Sequence, residues 1–422
     1  MHDEAADMKK RYEFGVRAGN IILIIALPCI VYFLYFCLRF NGGDLIPSDI
    51  TRKDLLRFGR SIIPTARMAL LYLVWLAIQV FLQTSAPGKT VSGRPLSDGT
   101  RLPYKMNGLV SFLTTLFIIA ALGIAGIFNP LALFNELGAL ITVVIIFAFL
   151  MSLFLYFYGR RTEISAAGSG SALHDFFMGY ALNPRIRGFD LKLFFESRPS
   201  LIGWIVLTFS FAYIQYAYYG FISLSMTLVC LFQFIYVLDY FIHETAILST
   251  MDVVHDRFGF MLCFGDTVWV PFTYSIQAYY LIDHVHHLPV WAAVLIGLLF
   301  AGGYYIFRAT NLQKHRFRED PERPIWGKKP EYIETASGKK LLVSGFWGWA
   351  RHFNYVGDIL MAAAWSLPCL FGSLVPYFYP IYFTALLVHR ERRDHRRCAE
   401  AYGKDWKEYC HRVPSRILPG IY

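Results

Sequence analysis

The sequence predicts an all-α, polytopic membrane protein with about ten transmembrane helices. Three observations carry this. The composition is 56% hydrophobic with only 17% charged residues, and the mean hydropathy is +0.42, a balance that belongs to a chain dissolved in lipid rather than water. Apolar stretches recur at lengths close to the roughly 20 residues a helix needs to cross a bilayer. The Lys and Arg residues between those stretches fall mostly in alternate links.

In order, the stretches are Gly19–Phe40, Ile62–Gln83, Gly108–Phe128, Leu137–Tyr158, Leu201–Gly220, Ile222–Ile242, Val268–Ile282, Leu288–Phe307, Tyr355–Phe371 and Gly372–His389. The seventh and the last two are short, which suits tilted, re-entrant or hairpin-paired segments. The first follows a polar leader without a small-residue cleavage site, so it reads as a retained helix. Residues 84–107 and Gly159–Pro199 are polar links, the second holding the turn signal Asn183-Pro184-Arg185.

With an even number of crossings both termini share a side. Cations in the N-terminus, the even-numbered links and the tail place that side in the cytoplasm. Arg39, Arg52, Lys53, Arg57 and Arg60 are the exceptions, and an amphipathic helix lying in the interface explains them. The expected division is 1–18 as cytoplasmic N-terminus, 19–308 as helices one to eight, and 309–422 as a C-terminal half with helices nine and ten and a cytoplasmic tail, all in one integrated domain.

The net charge of +10 comes without a helix-turn-helix, zinc-finger or RNP pattern, which argues against nucleic acid as a partner. Seven cysteines without a C-x-x-C spacing argue against a metal or disulfide framework. His284-Val285-His286-His287 lacks the additional His boxes of a di-iron hydroxylase and reads as a non-cytoplasmic loop.

Two regions concentrate groups that are costly beside lipid. From Asp239 to Pro271 the apolar pattern carries Asp239, His243, Glu244, Asp252, His255, Asp256 and Asp266. The last hundred residues hold Ser344-Gly345-Phe346-Trp347-Gly348, Arg351-His352-Phe353-Asn354-Tyr355 and a basic, aromatic tail through Arg393, Asp394, Arg397, Cys398, Tyr402 and Tyr409. Cations and aromatic faces at a membrane surface suit a large anionic cofactor. Taken singly, each residue also suits a collar meeting lipid headgroups.

These residues resemble the membrane sterol reductases, a family that includes the Δ14-sterol reductases, the lamin B receptor and 7-dehydrocholesterol reductase. The resemblance runs from Leu173 to Tyr422. Its motifs are His174-Asp175 with Asn183-Pro184-Arg185, Thr250-Met251-Asp252, Phe264-Gly265-Asp266, Val268-Trp269-Val270-Pro271, Gly345–Gly348 and Arg351-His352 with Asn354-Tyr355 and Gly357-Asp358. Leu367-Pro368-Cys369 and Pro376–Tyr379 are closer to the Δ14 branch. Phe353 departs from the proline that many relatives carry there.

The resemblance implies a ten-helix enzyme that uses NADPH to saturate the 14,15 double bond of a sterol intermediate, with membrane lipid as surroundings and no metal. Both termini would be cytoplasmic, in the endoplasmic reticulum of a eukaryote or the plasma membrane of a bacterium. It carries cofactor contacts onto Lys314, Arg318, Leu342, Trp347, Asn354, Tyr355, Asp394, Cys398, Ala399, Glu400, Ala401, Tyr402 and Tyr409. Independently, the absence of a G-x-G-x-x-G after a strand means that phosphates need explicit cations.

A ring alkene with no carbonyl accepts hydride only after protonation, so an acid is required in a site that excludes water. Tyr236, Asp239, His243 and Glu244 are the candidates. Three rival readings are a sterol Δ7-reductase, an S-adenosylmethionine-dependent membrane methyltransferase, prompted by the Arg351–Asp358 pattern, and a non-catalytic sterol-binding scaffold. The Leu173–Pro271 motifs oppose the methyltransferase, and the complete set of cofactor residues opposes the scaffold.

Overall fold

A computed structural model describes residues 17–46, 50–95, 99–162 and 168–422, so most of the expected cytoplasmic N-terminus lies outside the described residues. The chain is mainly helical. Among the described residues the strands form three two-stranded hairpins. The packing divides into two units: residues 1–222 with 233–283, and residues 223–232 with 284–422.

In the first unit, helices Arg17–Phe40, Ala66–Ser85 and Leu137–Thr162 follow the expected apolar stretches to within a few residues. Of the exceptional cations of the first link, Arg39 lies in the last turn of Arg17–Phe40, while Arg52, Lys53, Arg57 and Arg60 lie on a helix, Arg52–Ser61. Thr51 caps it, accepting from the Asp54 N–H while the Asp54 carboxylate accepts from the Thr51 N–H. None of its side chains is buried. Leu191–Phe195, a π-helical turn Glu196–Ile202 and Gly203–Tyr219 run on continuously, so one span starts ten residues before the apolar stretch at Leu201.

The expected segment Val268–Ile282 is instead broken into a π-helical turn Gly265–Trp269, a short helix Val270–Thr273 and the helix Ile276–Asp283. Pro271 lacks the N–H that a straight helix would use. Gly179 (φ +101°) and Gly259 bring two loops together so closely that a Cβ on either would strike the other's backbone.

The second unit is organised by the 30-residue helix Val290–Glu319. The helix Asn354–Ala364 packs on it where two glycines meet: a Cβ on Gly303 would lie 2.9 Å from the Gly357 carbonyl oxygen. Tyr355–Phe371 thus yields only an 11-residue helix, ending ahead of a 3-10 turn at Leu367–Cys369. Gly372–His389 becomes the first part of Phe378–Tyr402, whose second half is charged. His286 Nε2 lies 2.8 Å from the Pro368 carbonyl and 3.2 Å from the Ser225 hydroxyl, tying its loop to the 3-10 turn and to the start of Leu224–Ile242.

Six helices among the described residues are long and apolar enough to cross a membrane, and Gly108–Ile124 is a shorter apolar helix. The chain is an integral membrane protein.

Candidate functional site

In the second unit, the residues that resemblance placed at the cofactor come from six elements. Lys314, on the long helix, holds its ammonium 3.7 Å from the ring centroid of Trp347. Trp347 is buried and donates through Nε1 to the Thr310 carbonyl at 2.9 Å. Its turn is set by Gly345 (φ +64°), where a side chain would strike Gln313. Gln313 also accepts from the Phe346 N–H at 2.9 Å. Leu342, at the end of the hairpin Tyr332–Glu334/Lys340–Leu342, packs against Phe317 and Trp347.

Asp394 and Cys398 lie one turn apart on Phe378–Tyr402. His352 Nε2 is 3.4 Å from Asp394 Oδ2, and the Cys398 thiol donates to the same oxygen at 3.8 Å. The His352 ring stacks on Tyr355 at 4.9 Å. Burial works against the Asp394 carboxylate, but the His352 hydrogen bond and charge, followed by Lys314 and Arg397, hold its pKa below the ordinary carboxylate value. Burial first, and the Asp394 charge second, push the Cys398 thiol up to about 12, so it is a neutral donor. Burial likewise pushes the Tyr409 phenol up.

Tyr402, Trp406 and Tyr409 form an aromatic wall against Ile333 and Val413, with Trp406 and Tyr409 stacked at 5.0 Å. Ala399, Glu400, Ala401 and Arg318 are exposed. The tail is sewn to this unit: Arg351 and His352 donate their N–H groups to the Ser415 and Arg416 carbonyls, while fully buried Glu391 accepts from Arg416 at 3.0 Å.

Asn354 Oδ1 and Arg351 Nε are among the buried polar atoms here that lack a hydrogen-bond partner among the described residues. Such groups are costly unless something pairs with them. Together with the cations and aromatic faces, they fit a phosphate-bearing nucleotide.

The acid candidates lie in the first unit. Asp239 is 7% exposed, with its Oδ1 3.3 Å from His243 Nδ1. Tyr236 sits one turn earlier with its ring 6.0 Å from Trp204. Glu244 is committed elsewhere: it pairs with Arg198 at 2.7 Å and accepts from the Gly108 N–H at 2.8 Å. Arg198, fully buried, also donates to Gln83, Asn107 and Ser197.

Arg198 and Lys192 were not among the candidate site residues, because both fall in what reads as a polar link. Lys192 is buried and donates to the carbonyls of Asp252, Val253 and Asp256. Asp266, 7% exposed, has an Oδ2 with no hydrogen-bond partner among the described residues. It sits on one of two packed π-helical turns, and nothing in residue spacing announces them.

Comparison with known proteins extends the resemblance to almost the whole chain. Residues 8–422 match the ergosterol biosynthesis ERG4/ERG24 family. The Delta(14)-sterol reductase of Methylotuvimicrobium alcaliphilum is 47% identical over 420 residues, covering 100% of this chain and 98% of that protein. The Delta(14)-sterol reductase of Dictyostelium discoideum is 44% identical, covering 99% and 94%. The Schizosaccharomyces pombe protein of that name is 45% identical, covering 98% of each.

Proposed function

The chain belongs to the ergosterol biosynthesis ERG4/ERG24 family, and on that footing we propose that it is an NADPH-dependent Δ14-sterol reductase, saturating the 14,15 double bond of a sterol biosynthesis intermediate. The observation that carries this reading is the grouping of Lys314 on Trp347 and of His352 and Cys398 on Asp394, beside the unpaired Asn354 Oδ1. These residues serve a nucleotide in distinct ways. Lys314 and Arg318 answer phosphate charge, the aromatic faces accept a flat ring, and Asp394 accepts from a hydroxyl or amide. Asn354 and Tyr355 are the remaining polar contacts. Leu342, Cys398–Tyr402 and Tyr409 form the walls. The bound cofactor supplies hydride.

The protein's own part is to deliver a proton to carbon 15 and shelter the resulting tertiary cation at carbon 14 from water. Asp239, with Tyr236 one turn away and His243 against its carboxylate, is the strongest donor. Glu244 acts as a clamp, since both of its oxygens are engaged by Arg198 and the Gly108 N–H. Aromatic faces such as Tyr236 and Trp204 stabilise a cation without adding a nucleophile.

In the membrane the chain crosses ten times, with both termini cytoplasmic and 309–422 forming the cofactor-binding half. The broken segments Gly265–Asp283, Asn354–Cys369 and the apolar part of Val375–Tyr402 that ends at His389 supply the crossings that lack a long apolar helix. The membrane is the endoplasmic reticulum in a eukaryotic host or the plasma membrane in a bacterial one.

The deciding experiment supplies purified protein with a Δ8,14-sterol and NADPH and identifies the product by mass spectrometry. A product reduced at carbons 14 and 15 is expected. Reduction only of a Δ7-sterol, or binding of S-adenosylmethionine in place of NADPH, overturns the reading.

A further inference from the structure

The long helix Val290–Glu319 carries a second site on the side away from the proposed cofactor contacts. At 100° per residue, Thr310, Lys314 and Arg318 form one face, and Tyr305, Ala309, Leu312 and Arg316 form the opposite one. That opposite face borders a pocket completed by Arg323, Trp326 and Phe346. Phe346 and Trp347 are adjacent in the chain but serve different sides: Trp347 lies under Lys314, whereas Phe346 meets Trp326 edge to face at 5.0 Å. Phe353 stacks behind Phe346 at 5.7 Å, and Trp349 closes the group against Trp326 at 5.5 Å.

Three features define what this pocket accepts. Arg316 and Arg323 have no carboxylate partner among the described residues, so two guanidinium groups border one concavity unneutralised. Trp326 and Trp349 are 58% and 50% exposed, and exposed tryptophans concentrate at the boundary between lipid and water. The pocket also sits where the helix changes character, from the apolar run ending at Phe307 to the polar run Arg308–Glu319. The loop that brings in Arg323 and Trp326 is held by a paired bridge between Ile325 and Lys328 and by Lys329 to Glu322 at 2.7 Å.

We propose that this pocket binds the phosphate headgroup of an anionic membrane phospholipid. Arg316 and Arg323 take the phosphate, and Trp326, Phe346 and Tyr305 lie along the glycerol and upper acyl region. A guanidinium offers paired donors to phosphate oxygens and loses little hydration on binding. Free phosphate shares the headgroup chemistry but leaves the aromatic wall unused, so the lipid is the occupant that accounts for both halves of the pocket. The proposal stands apart from the reductase reading, because it uses none of the cofactor or acid residues.

The test places the detergent-solubilised full chain in nanodiscs of phosphatidylcholine with or without phosphatidylglycerol and measures retained lipid by native mass spectrometry. The unaltered protein is expected to retain phosphatidylglycerol at least about tenfold over phosphatidylcholine. Arg316→Gln with Arg323→Gln should abolish that preference while the melting temperature holds. Lys404→Gln with Lys407→Gln, equal in charge change but in the exposed tail, should leave the preference intact. Trp326→Ala, an exposed position, gives an independent reading if the double variant folds poorly, and it should weaken retention. Equal loss in the control pair, or unchanged retention in the Arg and Trp variants, overturns the proposal. Displacement of the lipid by millimolar inorganic phosphate alone would make this a free-phosphate site and also overturn it.

Discussion

Arg198 Nη1 lies 2.7 Å from Glu244 Oε1, with the arginine side chain fully buried and the glutamate 5% exposed. Because Arg198 also donates to Gln83 and Asn107, this pair joins the end of Ala66–Ser85, the start of Gly108–Ile124 and the turn after Leu224–Ile242. Removing one partner strands the other in a low-dielectric interior, which costs about 3–5 kcal/mol. Glu244→Gln and Arg198→Met should therefore each lower the melting temperature markedly. A Glu244→Gln protein that melts normally but has no turnover would return Glu244 to the role of acid.

Asp239→Asn keeps the shape of the side chain and removes its proton. Turnover of a Δ8,14-sterol should fall at least about a hundredfold, equivalent to roughly 2.7 kcal/mol of barrier. NADPH binding, measured by titration, should stay within experimental error. Near-normal turnover would move the donor elsewhere, and Tyr236→Phe is then the next variant to measure.

Lys314→Met removes the cation over Trp347 and leaves a side chain of similar length. A charge-assisted contact is worth roughly 1.5–3 kcal/mol, so NADPH affinity should drop about 10- to 150-fold. Arg318→Met tests whether the exposed guanidinium meets the ribose phosphate: its loss should weaken NADPH more than NADH. Equal effects on both nucleotides would assign Arg318 to another phosphate or to none.

Asp394 has a depressed pKa because its charged form is favoured by His352, Lys314 and Arg397. A depressed carboxylate stabilises the fold above its unfolded pKa, near 3.9, and that stability disappears as the pH falls through its lower folded value. At neutral pH, Asp394→Asn should melt below the unaltered protein. As the pH falls from about 4 the melting curves should draw together, meeting only below the folded value, and a gap that persists there would mean the loss is one of packing.

Single cysteines at Lys314 and Arg393 should react with an impermeant reagent from the same side of sealed vesicles, and one at Val285 from the other. Labelling of 285 and 393 from one side would exclude ten crossings.

Residue order was enough to identify the helices whose apolar runs are unbroken. Leu137–Tyr158 and Leu137–Thr162, or Ile222–Ile242 and Leu224–Ile242, differ only at their ends, because a long run with no water to satisfy its backbone has no alternative but a helix. Val268–Ile282 and Tyr355–Phe371, short enough to suit tilted, re-entrant or paired segments, do not form single unbroken helices of those lengths. There proline and tightly packed neighbours override apolar periodicity, turning one into π and α pieces and shortening the other to 11 residues.

Residue type and resemblance together pointed to Lys314, Trp347 and Asp394, since cations, indoles and acids beside a membrane helix need a use. The partners of those groups were a matter for the tertiary structure alone. His352 reaches Asp394 across 42 positions, and Arg198 reaches Glu244 across 46, separations at which no local spacing rule acts. Which acid is held in a clamp depends on such distant pairings. Burial makes them decisive, because only away from water does an unpaired charge cost enough to dictate its partner.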